Sequence, residues 1–498
     1  MSHRQKLQDK SAGGLAKKTA AKPGTESRKI DDSARFHPLP PEKLFVRGLI
    51  EVEFKNSALS GVETWDFDEE TERQEFADVW TPALKHVLGN HHLLSWKPSF
   101  PLRYPWSLER SNEEALAAYI KAGRDKFVTF RFPLDEDVLG IANELRALPE
   151  LQQAVAIPEI GPPAGPLTEP YTGTSDQVVN PCYQCLTNQW YLFRCDVPQA
   201  WSQHASGKGV VIADIDWGFN INHEDLRFRT DETVNRNMFP DSGNSSVVSN
   251  GNLRHHGNGV LGLAGAAVND KGMAGIAFEA TLWAIQAGTE TRLDYCLWAA
   301  AINYVGSIPT TSRKVIILEI QTQGCSNIEM IPTIRKEIID AIGNNIVVCV
   351  PAGNGNLSGD AGLGDDGLPI ETTGSILVGA TGFASMINPV SNSNSGNRVV
   401  VYAPGDRIHD LTCGALEYEY EENFGGTSGA TPKVAAVVAL MLEKNDKLRP
   451  CEIREILKHS EKPVVDSQMN QIGVLLDAGR SVAEAIALKP LMVQRTIP

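Results

Sequence analysis

Apolar and polar positions follow two different rhythms along this chain. In the first, Leu44–Lys55 alternates like a strand and Glu70–Leu88 has helical spacing. His92–Pro98 predicts a second strand and Tyr104–Lys126 a further helix. Phe127–Phe132 (Phe-Val-Thr-Phe-Arg-Phe) predicts a strong strand, Asp135–Leu151 a helix opened by acidic residues, and Gln152–Pro158 a closing strand. In the second rhythm, from about Asn188, whole strands are apolar. Val210–Ile215 is interrupted only by Asp214, and Thr281–Gln286, Lys314–Glu319, Ile346–Val350 and Ser375–Gly379 come after it. Helices are predicted at Gly259–Val268 and Thr431–Lys444. Strands without a polar face belong to a parallel sheet covered on both sides.

These rhythms imply an α/β molecule: a mainly parallel sheet flanked by helices, preceded by a smaller α+β unit. Without its inserted helix, that unit reads β-α-β-β-α-β, the ferredoxin-like order. The expected domains are a basic disordered tail (1–42), the ferredoxin-like unit (44–159), a linker (160–187), the α/β domain (188–487) and a short tail (488–498). The linker opens Ile160-Gly-Pro-Pro-Ala-Gly-Pro and continues rich in Thr, Ser and Asn.

Composition narrows the partners. A net charge of −15 repels phosphates, which argues against nucleic acid or an anionic membrane surface. No apolar run approaches the ~20 residues that span a bilayer. The first 30 residues carry Lys and Arg but no apolar h-region, so a secretory leader is not expected; a cytoplasmic location is, with non-classical export as the alternative. The eight cysteines are expected as free thiols. Cys182-Tyr-Gln-Cys185 is a lone CxxC, better read as structural thiols or a local disulfide than as a zinc site.

Four segments carry candidate chemistry. Gly425-Gly-Thr-Ser428-Gly-Ala-Thr-Pro432 sets a serine among small residues just before the apolar run Val434–Leu442, at a helix N-terminus that favours developing negative charge. Such a serine is usually only an N-cap. Val210–Gly218 ends a buried strand in Asp214-Ile-Asp216, where an Asx turn is the plain alternative. His255-His256-Gly-Asn-Gly offers a base whose pKa lies near neutrality. Val347–Gly355 ends an apolar strand in Pro-Ala-Gly-Asn354, and an Asn side chain can donate to an oxyanion.

Together, in the order Asp, His, Asn, Ser, these segments resemble the subtilisin-like serine proteases (subtilases, peptidase S8). The matching stretches are Asp216-Trp-Gly with His223-Glu-Asp-Leu, His256-Gly-Asn-Gly-Val-Leu-Gly, Ala352-Gly-Asn354 and Gly426-Thr-Ser428-Gly-Ala-Thr-Pro432. Gln189-Trp-Tyr-Leu and Pro198-Gln-Ala-Trp201 also resemble the start of that family's catalytic domain, so the resemblance covers about residues 188–487. It implies a serine endopeptidase with Ser428 as nucleophile, His256 as base, Asp216 as its partner and Asn354 in the oxyanion hole. It places an edge strand for peptide substrates at Leu318–Gly324. Ile320, Gln321, Thr322, Ala352 and Gly353 are the substrate-binding residues. The unit before it is similar to the family's propeptide, which implies an intramolecular inhibitor and a zymogen.

Departures from the family pattern mark open points. Glu319-Ile-Gln321 stands where Asn-Met-Ser is usual, which leaves the first specificity pocket unread. Asn258, Gly429 and Lys433 replace Thr, Met or Ser, and His. Asp214, on the same strand face as Asp216, is an alternative partner for His256 or could share a proton with Asp216. The loop Ala266–Gly275 resembles a calcium-binding region of many relatives, but it is one residue short and carries Lys271. No cofactor is required and no metal site is predicted. The rival reading from another class is a catalytically silent pseudoprotease that binds peptides. A third treats residues 44–159 as a partner-recognition domain on an enzyme active without processing.

Overall fold

A computed structural model describes residues 44–59, 72–101, 112–161, 189–239, 254–269, 272–289, 294–357, 362–382, 388–390, 392–405, 412–421 and 424–495. Residues 1–43, most of the linker, and Cys182 and Cys185 lie outside them.

The first unit contains β1 (Phe45–Phe54), α1 (Pro82–Asn90), β2 (Ser95–Pro98), α2 (Asn112–Lys121), β3 (Phe127–Arg131), α3 (Val138–Arg146) and β4 (Leu151–Pro158). Its sheet has the order β2-β3-β1-β4 with every pair antiparallel, the ferredoxin-like arrangement. The helix read from Glu70 begins only at Pro82. Thr81 caps it by accepting from the Leu84 N–H at 3.1 Å, and Pro82 presets the first turn. Residues 72–81 are instead held as irregular chain by an antiparallel bridge between Arg73 and Trp96. The helix expected over 135–151 is likewise shorter, at Val138–Arg146. Leu84, Leu88, Ile141 and Leu145 bury against one face of the sheet, with Trp80 stacked on Phe54, tilted against Trp96 and edge-on to Phe130.

A two-residue strand, β5 (Ile160–Gly161), leaves this sheet. The second unit then opens with α4 (Trp190–Arg194) and α5 (Val197–Ser202). It continues through β6 (Val210–Asp216), β7 (Arg236–Asn237), α6 (Arg254–Gly265), β8 (Thr281–Gln286), α7 (Tyr295–Ser307), β9 (Arg313–Leu318), β10 (Gln321–Thr322) and α8 (Pro332–Gly343). Next come β11 (Val347–Pro351), β12 (Ile376–Thr381), β13 (Val401–Pro404) and α9 (Thr427–Lys444). The seven-stranded sheet runs β13-β12-β11-β9-β6-β8-β7 with parallel pairing throughout. One face buries against α6 and α9, the other against α7 and α8. Strand order reverses at β6, so the crevice beyond its C-terminal end is where a doubly wound sheet gathers ligands.

Helix α9 runs through the middle of one core layer, and every residue from Thr427 to Leu442 is buried. It begins four residues before the expected Thr431, which brings Ser428 into its first turn. Pro432 sits inside it and removes the N–H that would otherwise bond to the Ser428 carbonyl. The tertiary surroundings hold the turn in place of that bond: the Gly426 N–H donates to the Gly405 carbonyl at 2.6 Å.

Candidate active site

Asp216 closes β6, where the parallel sheet buries it completely. His256 is the third residue of α6 and is equally buried. Its Nδ1 lies 2.8 Å from both carboxylate oxygens of Asp216. Burial raises the Asp216 pKa, and the facing His256 opposes that rise. The imidazole can come this close because Gly257 packs directly on the Gly218 carbonyl and the Phe219 ring, where any Cβ would collide. Phe424 stands edge-on to the ring, with centroids 5.3 Å apart. Asn258 ties the same turn down: its Oδ1 accepts from the Asn220 N–H at 2.8 Å and its Nδ2 donates to the Gly414 carbonyl at 2.7 Å.

Ser428 and Asn354 approach from the other side. Asn354 Oδ1 accepts from the Thr427 N–H at 3.0 Å and from the Thr427 hydroxyl at 3.1 Å. That fixes the amide, so Asn354 Nδ2, buried and without a partner, is turned away from Thr427. Gly426 adopts φ +70°, and a side chain there would press on the Asn354 amide. Ser428 Oγ and His256 Nε2 are both buried and are not bonded to each other; the Ser428 hydroxyl lies near the Glu319 carboxyl. A buried donor or acceptor left open is costly, so each of these three polar atoms calls for an explanation.

Sequence reasoning misses three supports of this crevice. Asn394 donates through Nδ2 to the Cys325 and Ala352 carbonyls at 2.6 and 2.9 Å and accepts from the Gly355 and Leu357 N–H groups, bracing the loop that carries Asn354. Buried Lys433 donates to the Pro404 carbonyl at 2.8 Å and stands over the Tyr191 ring. Glu319, in sequence only a departure at the specificity pocket, is fully buried with both carboxyl oxygens unpartnered, as are those of Asp214. Strand register could have shown this. Asp214 lies opposite Ile317, and the Glu319 N–H bonds the Ile215 carbonyl at 3.1 Å, so Glu319 comes next, beside Asp216. Burial, and then the Asp216 charge, push both carboxyl pKa values well up; the nearby Ser428 hydroxyl partly offsets this for Glu319.

The expected substrate-binding residues divide. Gln321 and Thr322 form β10, and Gly353 turns at φ +99° next to Asn354. Ile320 buries its side chain in the core layer under α7 and α8. Ala352 joins the same core, and its N–H bonds the Val378 carbonyl at 2.8 Å. β10 is occupied: β5 pairs with it antiparallel, Gln321 opposite Gly161 and Thr322 opposite Ile160. The Gln323 N–H donates to the Glu159 carbonyl at 2.7 Å.

Asp225 packs beneath the loop that resembles a calcium site. It already accepts from Asn269 Nδ2 (2.9 Å), the Met273 N–H (3.1 Å) and the Tyr420 hydroxyl (2.8 Å). His223, Asp225 and Cys413 bring three potential metal ligands within 4.8 Å of one another. Both His223 nitrogens are engaged, though: one faces the Asp225 N–H at 3.2 Å, the other the Glu419 carbonyl at 2.7 Å. The six cysteines among the described residues are free thiols.

A parallel α/β sheet with Asp216, His256, Asn354 and Ser428 gathered at its reversal point defines the subtilisin-like class. A family model described as the subtilase family matches residues 207–475, more than half of the chain, and the chain belongs to that family. It is 31% identical over 244 residues to the intracellular serine protease of Paenibacillus polymyxa, which covers 49% of this chain and 69% of that one. It is 26% identical over 246 residues to the major intracellular serine protease of Bacillus subtilis (strain 168), covering 49% and 72%. Among solved structures, fervidolysin from Fervidobacterium pennivorans, described as a keratinolytic enzyme related to subtilisin, aligns with a TM-score of 0.55 at 17% identity. That alignment covers 88% of this chain and 61% of fervidolysin, and it supports the fold. Among the described residues no helix is long and apolar enough to cross a membrane.

Proposed function

We propose that this chain is a serine endopeptidase that works through an acyl-enzyme and is restrained by its own N-terminal unit. The observation that carries the reading is Asp216 bonded to His256 Nδ1 at 2.8 Å beside the open Ser428 Oγ and Asn354 Nδ2. Ser428 Oγ attacks the scissile carbonyl while His256 Nε2 takes its proton, and the same imidazolium later protonates the leaving amine. Asp216 holds the ring with Nε2 toward the serine and stabilises its charge. Asn354 Nδ2 and the Ser428 N–H, at the start of α9, receive the oxyanion.

The restraint rests on the pairing of β5 with β10. A peptide substrate would add to that edge by main-chain hydrogen bonds, and the chain's own residues 159–161 already make them. A zymogen of this kind suits a protease acting inside the cell, where two relatives are named as intracellular.

A fluorophosphonate probe read by intact mass tests this. After nicking of the linker, one adduct is expected on the parent chain and none on Ser428→Ala. Asn354→Ala should keep the adduct site but lose turnover by ~10²–10³, the range known for one such donor in a subtilisin. A nicked chain with no Ser428-dependent adduct would leave a peptide-binding module without turnover.

A further inference from the structure

Gln321 stands at a position whose consequences go beyond edge-strand pairing. Its side chain does not point to solvent; the residue is 5% exposed. Its Oε1 accepts from the Asn354 N–H at 2.9 Å, and its Nε2 meets Cys325 Sγ at 3.5 Å. The carboxamide is therefore braced across the space between β10 and the Ala352–Asn354 segment.

Directly opposed residues of an antiparallel pair project to the same face. Gly161 is the residue opposite Gln321. A side chain on a peptide at that position would have to share the face that the Gln321 carboxamide already fills. The docked strand runs from Glu159, opposite Gln323, toward Gly161, so its leading end arrives where Gln321 touches Asn354. On the proposed mechanism a substrate bound in this register would present the carbonyl of the residue at this position to Asn354 and Ser428.

We propose that Gln321 is a specificity-determining residue: its side chain plugs the pocket for the residue N-terminal to the scissile bond and restricts that residue to glycine or another very small side chain. The ligand class is thus a peptide chain in extended form, small at this one position. The chain's own Gly161 meets that requirement. Cys325 backs the plug from behind, packed against Gly353 and Gly355, where added side chains would run into it. Gln321 donates to a soft sulfur and accepts from a backbone N–H, so it is held at both ends and does not swing away cheaply.

The proposal rests on the endopeptidase reading, and the full-length chain itself tests it. Replacing Gly161 with Ala, Val and Leu should progressively expel the docked strand. The rate of fluorophosphonate labelling at Ser428 should rise with side-chain size, by at least about tenfold for Gly161→Leu. In the Gln321→Ser background, Gly161→Leu should fit again and its labelling should fall back toward that of the Gly161 chain. Linker-nicked enzyme should cleave peptides with Gly or Ala before the scissile bond over those with Leu or Phe, and Gln321→Ser should narrow that preference at least about tenfold. If Gln321→Ser does not fold, the graded Gly161 series in the parent chain still decides. Ser428-dependent labelling that ignores residue 161, with bulky peptides cleaved well by the parent enzyme, would overturn the plug alone. Absence of Ser428-dependent labelling in every chain, nicked chains included, would overturn the endopeptidase reading and the plug with it.

Discussion

Asp214, Asp216 and Glu319 place three carboxyl groups on one buried sheet face, and only Asp216 has an imidazole to face. In a low-dielectric interior like charges cannot all ionise, so the protons stay on the two unpartnered groups. Both folded-state pKa values lie above their unfolded ones, so folding takes up protons. The stability these groups contribute is full below the ordinary carboxylate range and falls as pH rises toward the folded values. Asp214→Asn and Glu319→Gln, which mimic the neutral acids, should therefore raise the thermal midpoint relative to the parent at mildly alkaline pH. They should change it little near pH 4. Melting curves across that range check this; equal shifts at every pH would mean that packing rather than ionisation governs both sites. Asp214 makes no bond to His256, so the proposed partner role falls to Asp216 on geometry.

The two residues of β5 are too few to be read as an element from periodicity, yet they pair with β10, the edge to which a peptide would add. Their C-terminal neighbours matter as well: Gly161 precedes Pro162 and Pro163. A bond to a prolyl nitrogen has no N–H, and the ring crowds the side from which a leaving amine must be protonated. The strand should thus persist as an uncleaved occupant. Pro162→Ala is expected to yield a new chain end after Gly161 that disappears when combined with Ser428→Ala, as read by intact mass. A parent chain already cut at that bond would show that the proline offers no protection. Helix α9 makes a similar point: its serine-bearing first turn forms four residues ahead of the expected start at Thr431, because the Gly405 and Asn354 contacts hold backbone that propensity alone would leave loose.

Across the molecule, the outer face of the N-terminal sheet and the helices α7 and α8 share one core, with Phe45, Val155, Ile157 and Ile160 inside it. Ion pairs flank that core, Arg124 with Glu337 and Arg146 with Asp366, both at 2.7 Å. At its centre Glu51 accepts from the Thr333 N–H at 2.7 Å, a carboxyl set on the N-terminus of α8. Burial raises its pKa to about 7, with the Thr333 hydrogen bonds opposing the rise. Once undocked, Glu51 would return toward its ordinary value of 4.5. Docking then takes up a proton between these values: it is strongest below about 4.5 and weakens as pH rises to 7, by at most about 3 kcal/mol. In a chain nicked within the linker, release of the N-terminal piece should increase over that window, and Glu51→Gln should flatten the dependence. Gel filtration at two pH values measures it; release that does not change with pH would remove Glu51 from the account.

The sequence by itself determined the parallel sheet, the succession of its main strands along the chain and the Asp216 and His256 that meet at the end of β6. Apolar strands can be buried only between two layers, and Gly257 and Gly426 lie where side chains would block the approach of backbone to His256 and Asn354. It left open what depends on distant chain segments arriving together. Periodicity over Glu70–Leu88 could not see that Thr81 and Pro82 start the helix and that Trp96 takes the chain before it. Nor could it see that Glu319 faces Asp216, or that Gln321 turns inward to Asn354 and Cys325 across from Gly161. Those are facts of register and packing between elements far apart in the chain, and local composition carries no record of them because the free energy that selects them is released only when the whole core closes.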